Sequence, residues 1–148
     1  MKVIIQRVLN AKCVVNEENV SEITSGMMLL VGFTNGDSVE QIDKMVKKII
    51  NLRIFEDENG KTNLSLKDVD GELLIVSQFT LYANCKKGNR PSFIEAGEPH
   101  MAETLYEYMI EEAAKRVPVV QHGSFGADMK VSLINDGPFT VLLDEHIL

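Results

Sequence analysis

One stretch, residues 73–82, constrains the fold of this chain more than any other, because a run of apolar residues there ends abruptly in polar ones. The run 73–76 contains no polar residue, which is typical of a strand that is buried on both faces. Three polar residues and a phenylalanine follow it directly: Ser77, Gln78, Phe79 and Thr80. The pattern predicts a core strand whose C-terminal end carries hydrogen-bonding side chains.

The polar end of this strand has two interpretations. A buried polar group without a partner costs about 1–3 kcal/mol, so these side chains either open onto a ligand or bond to neighbouring backbone. The strand is predicted to continue to Tyr82, and its alternation places Gln78 and Thr80 on one face and Ser77 and Phe79 on the other. The stretch alone favours a strand end whose hydroxyls satisfy nearby backbone groups.

Length and composition indicate one domain that spans residues 1–148. A chain of 148 residues of which 45% are hydrophobic can bury one sizeable core. No apolar run approaches the roughly 18 residues that cross a bilayer, and the start of the chain is too briefly apolar for a signal peptide. We therefore expect a cytoplasmic protein with no membrane partner, whose two cysteines, Cys13 and Cys85, are reduced.

The charge is acidic overall, with one cationic exception. A net charge of −7 argues against broad, sequence-blind binding of nucleic acid, which depends on many cationic contacts. Residues 84–92 nevertheless carry three positive charges and no negative charge, with a glycine and a proline that favour a loop. Lys86, Lys87 and Arg90 are therefore candidates for phosphate contact, and the alternative is a solvated, mobile loop.

Two amphipathic helices are predicted. The first is capped by Ser38, with Gln41 completing a capping box, and ends at Asn51. Its apolar stripe comprises Val39, Ile42, Met45, Val46, Ile49 and Ile50. The second begins at Pro99 and is ended by residues 117–118. Its buried stripe is predicted to be Met101, Leu105, Tyr108, Met109 and Ala113, and its solvated side Glu103, Glu107, Glu111 and Glu112.

Short apolar or alternating segments predict the strands, which together with the two helices indicate an α/β protein. Besides the stretch described above, the predicted strands are residues 2–8, 11–16, 27–34, 52–55, 118–121, 129–134 and 139–143. Asn10 is expected to separate the first two. Acidic residues 56–60 predict a solvated turn, because their spacing does not match a calcium-binding loop.

The chain lacks the common signatures of metal and nucleophile chemistry. No cluster of Cys and His has the spacing of metal ligands, and there is neither a Walker loop nor a dinucleotide-binding fingerprint. None of the three histidines lies near Ser77 or Thr80 in sequence. We therefore expect no metal and no cofactor, and a Ser-His-Asp mechanism would require distant partners.

A second motif, Asn135-Asp136-Gly137-Pro138-Phe139-Thr140, lies between the apolar segments 131–134 and 141–143. Taken with Ser77-Gln78-Phe79-Thr80, it resembles the D-aminoacyl-tRNA deacylase family, which pairs a Ser-Gln-x-x-Thr motif with an Asn-x-Gly-Pro-x-Thr motif. Segments similar to the family also occur in family order at 6–8, 52–55, 87–93 and 125–129. The resemblance therefore covers nearly the whole chain.

The resemblance implies a single α/β domain with mixed β-sheets, a barrel-like core and two main helices, assembled as a homodimer. It implies hydrolysis of the ester bond of D-aminoacyl-tRNA, and of glycyl-tRNA mischarged on tRNA(Ala). The implied catalytic residues are Ser77, Gln78, Phe79 and Thr80. The implied supporting residues are Arg7, Asn135, Thr140 and Met129, with Asp128 beside the adenosine end. The implied contacts to tRNA phosphate are Lys86, Lys87 and Arg90.

The Gly137–Pro138 pair is implied to select the handedness of the substrate. In the family this peptide bond is cis, and it reaches into the active site of a partner subunit. The two carbonyls would crowd the α-carbon of the bound residue, so that an L side chain clashes while a D side chain or glycine fits. Without the resemblance, the pair indicates only a turn between strands. Arg7 is the implied brace of this loop, and the alternative is a strand-edge cation.

Two mechanisms remain open for the implied reaction. An aminoacyl ester is already activated, so positioning and backbone N–H donors around Gln78, Phe79 and Thr80 would lower the barrier, with water attacking and a ribose hydroxyl assisting. Thr80 as a covalent nucleophile is the competing mechanism, and it requires a base that is absent from the neighbouring sequence. Two other functions are retained as alternatives: a non-catalytic nucleic-acid-binding module, and a general esterase or amidase with a threonine nucleophile.

Overall fold

The computed structural model describes residues 1–146 and 148 and contains eight strands and two α-helices among them. In chain order the elements are β1 (Lys2–Val15), β2 (Asn19–Ile23), β3 (Gly26–Gly32), α1 (Val39–Asn51), β4 (Phe55–Glu56), β5 (Thr62–Leu64), β6 (Glu72–Ser77), a 3-10 turn (Phe79–Tyr82), α2 (Pro99–Ala114), β7 (Val120–His122) and β8 (Met129–Asp144).

The long strand β1 organises the main sheet. One edge of β1 pairs with β8 along its length, and the other edge pairs with β3 and then with β2, all antiparallel. The parallel strands β6 and β7 extend the sheet beyond β3. The sheet is nearly closed and barrel-like, as expected, while β4 and β5 form a separate hairpin.

The sheet separates two hydrophobic clusters, and β6 contributes to both. Leu73 and Ile75 pack with the two helices, whereas Leu74 and Val76 pack in the cluster on the opposite side of the sheet. This alternation confirms the prediction of a strand that is buried on both faces. Each residue of β6 therefore has little freedom, which fixes the position at which Ser77 leaves the sheet.

Helix α1 forms where the sequence predicts it. Ser38 and Gln41 make the reciprocal capping box, and the helix ends at Asn51. Five members of the predicted stripe are buried, but Val39 in the first turn is 39% exposed. Helix α2 begins at Pro99 as predicted and packs against α1, where the Tyr108 hydroxyl donates to Asp43 Oδ1 at 2.8 Å.

Several predicted strand boundaries are wrong. Strands 2–8 and 11–16 are one strand, because register shifts near Val8 and Asn10 absorb the irregularity without breaking the pairing to β8. Strands 129–134 and 139–143 likewise form one continuous β8. The predicted strand 52–55 is displaced to Phe55–Glu56, where it pairs with a strand, β5, that the sequence did not indicate.

Glu112 corrects the predicted surface of α2. The sequence pattern places it on the solvated side, but it is only 8% exposed, and α2 ends at Ala114 instead of continuing to residues 117–118. Lys115 and Arg116 pair with the Glu112 carboxylate from the following turn. A buried carboxylate requires such partners, and helical periodicity alone does not show that a glutamate has them.

Candidate active site

The segment Ser77–Thr80 leaves the sheet sooner than the sequence predicts. The pairing of β6 with β3 ends at Ser77 opposite Val31, and the Gln78 N–H donates to the Val31 carbonyl at 2.7 Å. Phe79–Tyr82 then form a 3-10 turn, so the prediction of an extended strand to Tyr82 is wrong. The turn brings Gln78 and Thr80 together, and the Gln78 amide Nε2 donates to the Thr80 hydroxyl.

Gly32 on β3 explains why the chain turns here. A Cβ at Gly32 would lie 2.8 Å from the Gln78 carbonyl oxygen and 3.2 Å from the Leu81 Cβ. A larger residue would therefore push the 3-10 turn away from the sheet. The signal in the sequence is a glycine at the end of an apolar strand, which by itself does not connect that glycine with the site.

Two clefts meet at this segment. The first, which we call the helix-side cleft, has a volume of about 490 Å³ and is lined in part by Phe33, Phe93, Pro99, Ala102 and Phe125. The second, the sheet-side cleft, has a volume of about 550 Å³ and is lined in part by Gln6, Leu30, Asp128, Met129 and Leu133. Both clefts are also lined by the same five residues: Ser77, Gln78, Phe79, Phe125 and Gly126. Three of the four predicted catalytic residues thus form the boundary between two ligand-sized spaces, whereas Thr80 lines neither cleft.

The structure places Met129 and Asp128 in the lining of the sheet-side cleft, together with Ser77, Gln78 and Phe79. Lys130 pairs with the Asp128 carboxylate at 2.9 Å and partly offsets its charge. Phe125 and Gly126 line both clefts, which the sequence did not predict. The glycines of 123–126 predict only a flexible connection.

The second motif forms a braced loop within β8. Strand pairing to β1 stops at Asn135 and resumes at Thr140, so residues 136–139 project from the ladder. The Asn135 side chain accepts from the Phe139 N–H at 2.6 Å and donates to the Thr140 hydroxyl at 3.0 Å. The peptide bond from Gly137 to Pro138 is cis, as the resemblance implies.

Arg7 holds this loop from inside the fold. Its guanidinium donates to the Asp136 carbonyl at 2.9 Å and to the Ile54 carbonyl at 2.6 Å, and it lies 4.7 Å from the centre of the Phe139 ring. Arg7 is 6% exposed, which excludes the alternative of a strand-edge cation. The predicted bracing contact between Arg7 and the loop is therefore present.

Gly137 is suited to its position because of its backbone. Its φ of +143° is a conformation that side chains strongly disfavour. A Cβ there would also lie 2.9 Å from the Phe139 nitrogen and 3.2 Å from Arg7 Nη2. Both Gly137 and Pro138 are exposed, and among the described residues neither lines either cleft of its own chain.

The cationic loop follows the 3-10 turn in the chain. Backbone hydrogen bonds of 2.8 and 2.9 Å between Asn84 and Ser92 close the loop, and Lys86, Lys87 and Arg90 are exposed on it. Phe93 follows the loop and packs edge-to-face on Phe79, with ring centres 5.1 Å apart. This contact connects the cationic loop to the segment Ser77–Thr80.

Burial favours the neutral form of two ionisable groups in the core, Tyr106 and Cys13. Burial raises the pKa of Tyr106, whose hydroxyl donates to the Ile75 carbonyl at 2.7 Å and so fixes β6 just before Ser77. Burial also raises the pKa of the Cys13 thiol.

Within residues 1–146 and 148, no group of three or more His, Cys, Asp or Glu side chains is arranged to hold a metal ion. No helix in the described part of the chain is long and apolar enough to span a membrane.

Comparisons with known proteins agree on one family. The profile of the D-Tyr-tRNA(Tyr) deacylase family matches residues 4–144. The chain is 56% identical over 144 residues to a D-aminoacyl-tRNA deacylase of Lactobacillus gasseri, covering 97% of this chain and 99% of that protein. It is 51% identical over 148 residues to a D-aminoacyl-tRNA deacylase of Syntrophus aciditrophicus, covering 100% and 99% of the two chains.

Solved structures give the same fold. The structure of a protein named c-Myc DNA Unwinding Element Binding Protein has a TM-score of 0.91 at 41% identity, covering 98% of this chain and 99% of that one. That of a probable eukaryotic D-amino acid tRNA deacylase has a TM-score of 0.82 at 19% identity, covering 96% and 97%. The full-length profile match and the identities above 50% show that the chain belongs to the D-Tyr-tRNA(Tyr) deacylase family, whose members are hydrolases.

Proposed function

We propose that this protein hydrolyses the ester bond of D-aminoacyl-tRNA, releasing the tRNA and the D-amino acid. The observation that carries the proposal is the boundary position of Ser77, Gln78 and Phe79 between two clefts, in a chain that belongs to the deacylase family. An aminoacyl-adenosine has two parts, a nucleoside and an amino acid, joined at the ester. Two adjoining clefts suit such a ligand, with the ester at their boundary.

The proposed catalysis relies on positioned hydrogen bonds. The Gln78 N–H is engaged by Val31, so the expectation that it serves as a donor is not supported. Phe79 and Thr80 open the 3-10 turn, where a backbone N–H has no partner within the turn. These two N–H groups are the proposed donors to the oxyanion that forms when water attacks the ester.

Thr80 is proposed to orient the ester and not to attack it. Its hydroxyl oxygen accepts from the Gln78 amide, which leaves the hydroxyl hydrogen available for the substrate. An amide is not a base, and a threonine nucleophile requires one. A substrate whose terminal ribose lacks the hydroxyl next to the ester tests the assisting role of the RNA. Hydrolysis that is lost with this substrate but retained in a Thr80→Val variant would exclude Thr80 as nucleophile.

Selection for D-amino acids is proposed to reside in the main chain of the loop 136–139. The Gly137 and Pro138 carbonyls of a partner subunit would face the α-carbon of the bound residue in a homodimer. Arg7 and Asn135 hold the loop through the contacts described above, which makes it a rigid obstacle to an L side chain. Glycine has no side chain, so glycyl esters should also be hydrolysed.

The tRNA is proposed to approach over the cationic loop. Lys86, Lys87 and Arg90 would contact phosphates, and Met129 with Asp128 would adjoin the terminal adenosine. A local cationic patch on an acidic protein favours one docking direction, because the remaining surface repels the backbone. The proposed location is the cytoplasm, where the charged tRNA is found.

A non-catalytic nucleic-acid-binding function is the second candidate. It is favoured by the similarity, at 41% identity, to a protein whose name describes binding to a DNA unwinding element, and by the cationic loop. One experiment separates the candidates: release of D-tyrosine and L-tyrosine from matched tyrosyl-tRNA esters by the purified protein.

The proposed function predicts rapid release of D-tyrosine and little release of L-tyrosine. Equal release of both would favour a general esterase. Binding of the tRNA without any release would favour the non-catalytic module and would contradict the proposal. Sedimentation of the same sample tests the homodimer, and a monomer that remains fully selective would contradict the role of a partner's Gly137 and Pro138.

A further inference from the structure

An apolar stripe leaves the catalytic segment and runs towards the cationic loop. It consists of Phe79, Phe93 and Ile94, which are 56%, 37% and 89% exposed. The first two form the edge-to-face pair described above, and Ile94 follows Phe93 directly in the chain. Ile94 is the most exposed of the large apolar residues in the described part of the chain. Phe79 and Phe93 line the helix-side cleft and Ile94 lines a separate groove, so the stripe connects the two through adjacent positions of the chain.

The stripe ends in a small groove with cationic walls. The groove has a volume of about 320 Å³ and is lined by Asn84, Lys86, Lys87, Ser92, Ile94 and Glu95. Its base is fixed by the backbone bridge between Asn84 and Ser92, and the Asn84 side chain accepts from the Lys86 N–H at 3.0 Å. The groove thus combines a firm floor, an apolar wall and two ammonium groups.

We propose that the stripe and groove bind the unpaired nucleotides that precede the terminal adenosine of the substrate RNA. This inference rests on the proposed function, since it assumes that the terminal adenosine lies in the clefts. Sites for single-stranded nucleic acid combine apolar or aromatic surfaces, on which bases stack, with cations that follow the backbone. Phe93 and Ile94 would carry the bases, and Lys86 and Lys87 the phosphates. Glu95 would accept a hydrogen bond from the amino group of a base.

The proposal predicts that unpaired nucleotides, and not only the terminal adenosine, contribute to affinity. The test uses two unacylated RNA hairpins with the same stem, one with the 3′ overhang ACCA and one with a single 3′ adenosine. Fluorescence anisotropy measures the dissociation constant of each. Stacking of one base contributes about 1–3 kcal/mol, so the longer overhang should bind about 5- to 150-fold more tightly.

Variants locate the effect. Ile94→Ser should reduce the ratio of the two dissociation constants about fivefold, because the aliphatic side chain would lose apolar surface that a base covers. Val39→Ser, at an exposed apolar residue on α1, should leave the ratio unchanged. Lys87→Gln should reduce the slope of log Kd against log salt concentration by about 0.7 for the phosphate contact that is lost on a single strand. Lys47→Gln, an exposed lysine on α1, is the matched control and should preserve the slope.

The outcome does not depend on catalysis. Equal affinity for the two hairpins would overturn the inference, and so would an unchanged ratio in Ile94→Ser. If the longer overhang binds more tightly in an Ile94-dependent manner while no ester is hydrolysed, the groove is supported and the proposed deacylase activity fails. Hydrolysis of D-tyrosyl-adenosine should be unaffected by Ile94→Ser, because that substrate lacks the nucleotides in question.

Discussion

Removal of the Arg7 guanidinium should destabilise the protein and loosen the selectivity for D-amino acids that we propose. Arg7 donates to two carbonyls, those of Ile54 and Asp136, in a site where it is 6% exposed. A hydrogen bond to a charged group contributes about 1.5–3 kcal/mol, so the loss of both in Arg7→Met should cost about 3–6 kcal/mol. Methionine retains the packing of the arginine stem, so the loss reports mainly on the guanidinium.

Urea unfolding followed by circular dichroism measures this loss, at one fixed protein concentration because assembly would stabilise the folded state. Arg53→Met is the matched control. Arg53 also donates to a carbonyl, that of Asn63 at 2.9 Å, but it is exposed. Exposed substitutions usually change stability by less than about 0.5 kcal/mol. If Arg7→Met and Arg53→Met unfold within about 1 kcal/mol of each other, the guanidinium does not brace the fold as the contacts suggest.

The same variant tests the proposed selectivity at urea concentrations where it remains folded. Release of L-tyrosine relative to D-tyrosine should rise in Arg7→Met, because the loop 136–139 loses the contact at the Asp136 carbonyl. Arg7→Lys should lie between the variant and the original protein, since one ammonium cannot reproduce a fork that reaches two carbonyls. Unchanged selectivity in a folded Arg7→Met protein would separate the loop from the rejection of L-amino acids.

Three further predictions concern single side chains. Thr80→Val should lower kcat/KM by about 10- to 100-fold if Thr80 orients the ester, whereas removal of a nucleophile should cost about 10⁴-fold or more in initial rates. Tyr82→Phe should leave the melting temperature unchanged or raise it, because the Tyr82 hydroxyl is buried without a hydrogen-bond partner in the described residues. Tyr106→Phe should lower the melting temperature, because the Tyr106 hydroxyl donates to a carbonyl of β6 and its loss costs about 1 kcal/mol. If the two variants shift the melting temperature equally, both predictions are contradicted. Backbone N–H groups at the start of α2 hold the pKa of Glu98 below its usual value, so Glu98 stabilises the folded state at neutral pH and less as pH falls through its folded pKa. Glu98→Gln should therefore be less stable at pH 7 and converge with the original protein in acid, as unfolding curves at several pH values would show.

Local signals in the sequence were sufficient for the elements that depend on local contacts. The capping box of Ser38 and Gln41 predicted where α1 begins, because both partners lie within one turn. The apolar run 73–76 predicted β6 and its burial on both faces. Ser77, Gln78 and Phe79 of the first motif line the clefts, whereas Thr80 lines neither. The second motif forms the braced loop. Spacing alone does not show that the two motifs belong together, and the resemblance supplied that link.

Features that depend on distant residues were predicted less well. The 3-10 turn at Phe79 arises where Gly32 of another strand allows a close approach, and the sequence of the turn itself is typical of an extended strand. The continuity of β1 depends on β8, whose pairing absorbs two irregularities near Val8. Glu112 is buried because the following turn supplies its cations. In each case the residue or strand that determines the local structure lies outside the element, so the periodicity of the element does not reveal it.

Because Arg7 lies on β1, the stability of the fold and the proposed selectivity for D-amino acids depend on the same strand. The strand that carries this arginine is also the one that pairs with β2, β3 and β8. A change that lets this part of β1 slide by one residue would invert its inward and outward faces and withdraw the guanidinium from the Asp136 carbonyl at the same time. Loss of the proposed discrimination against L-amino acids and loss of the folded state should therefore arise together along this strand, so few substitutions in it would abolish the discrimination and leave the protein folded.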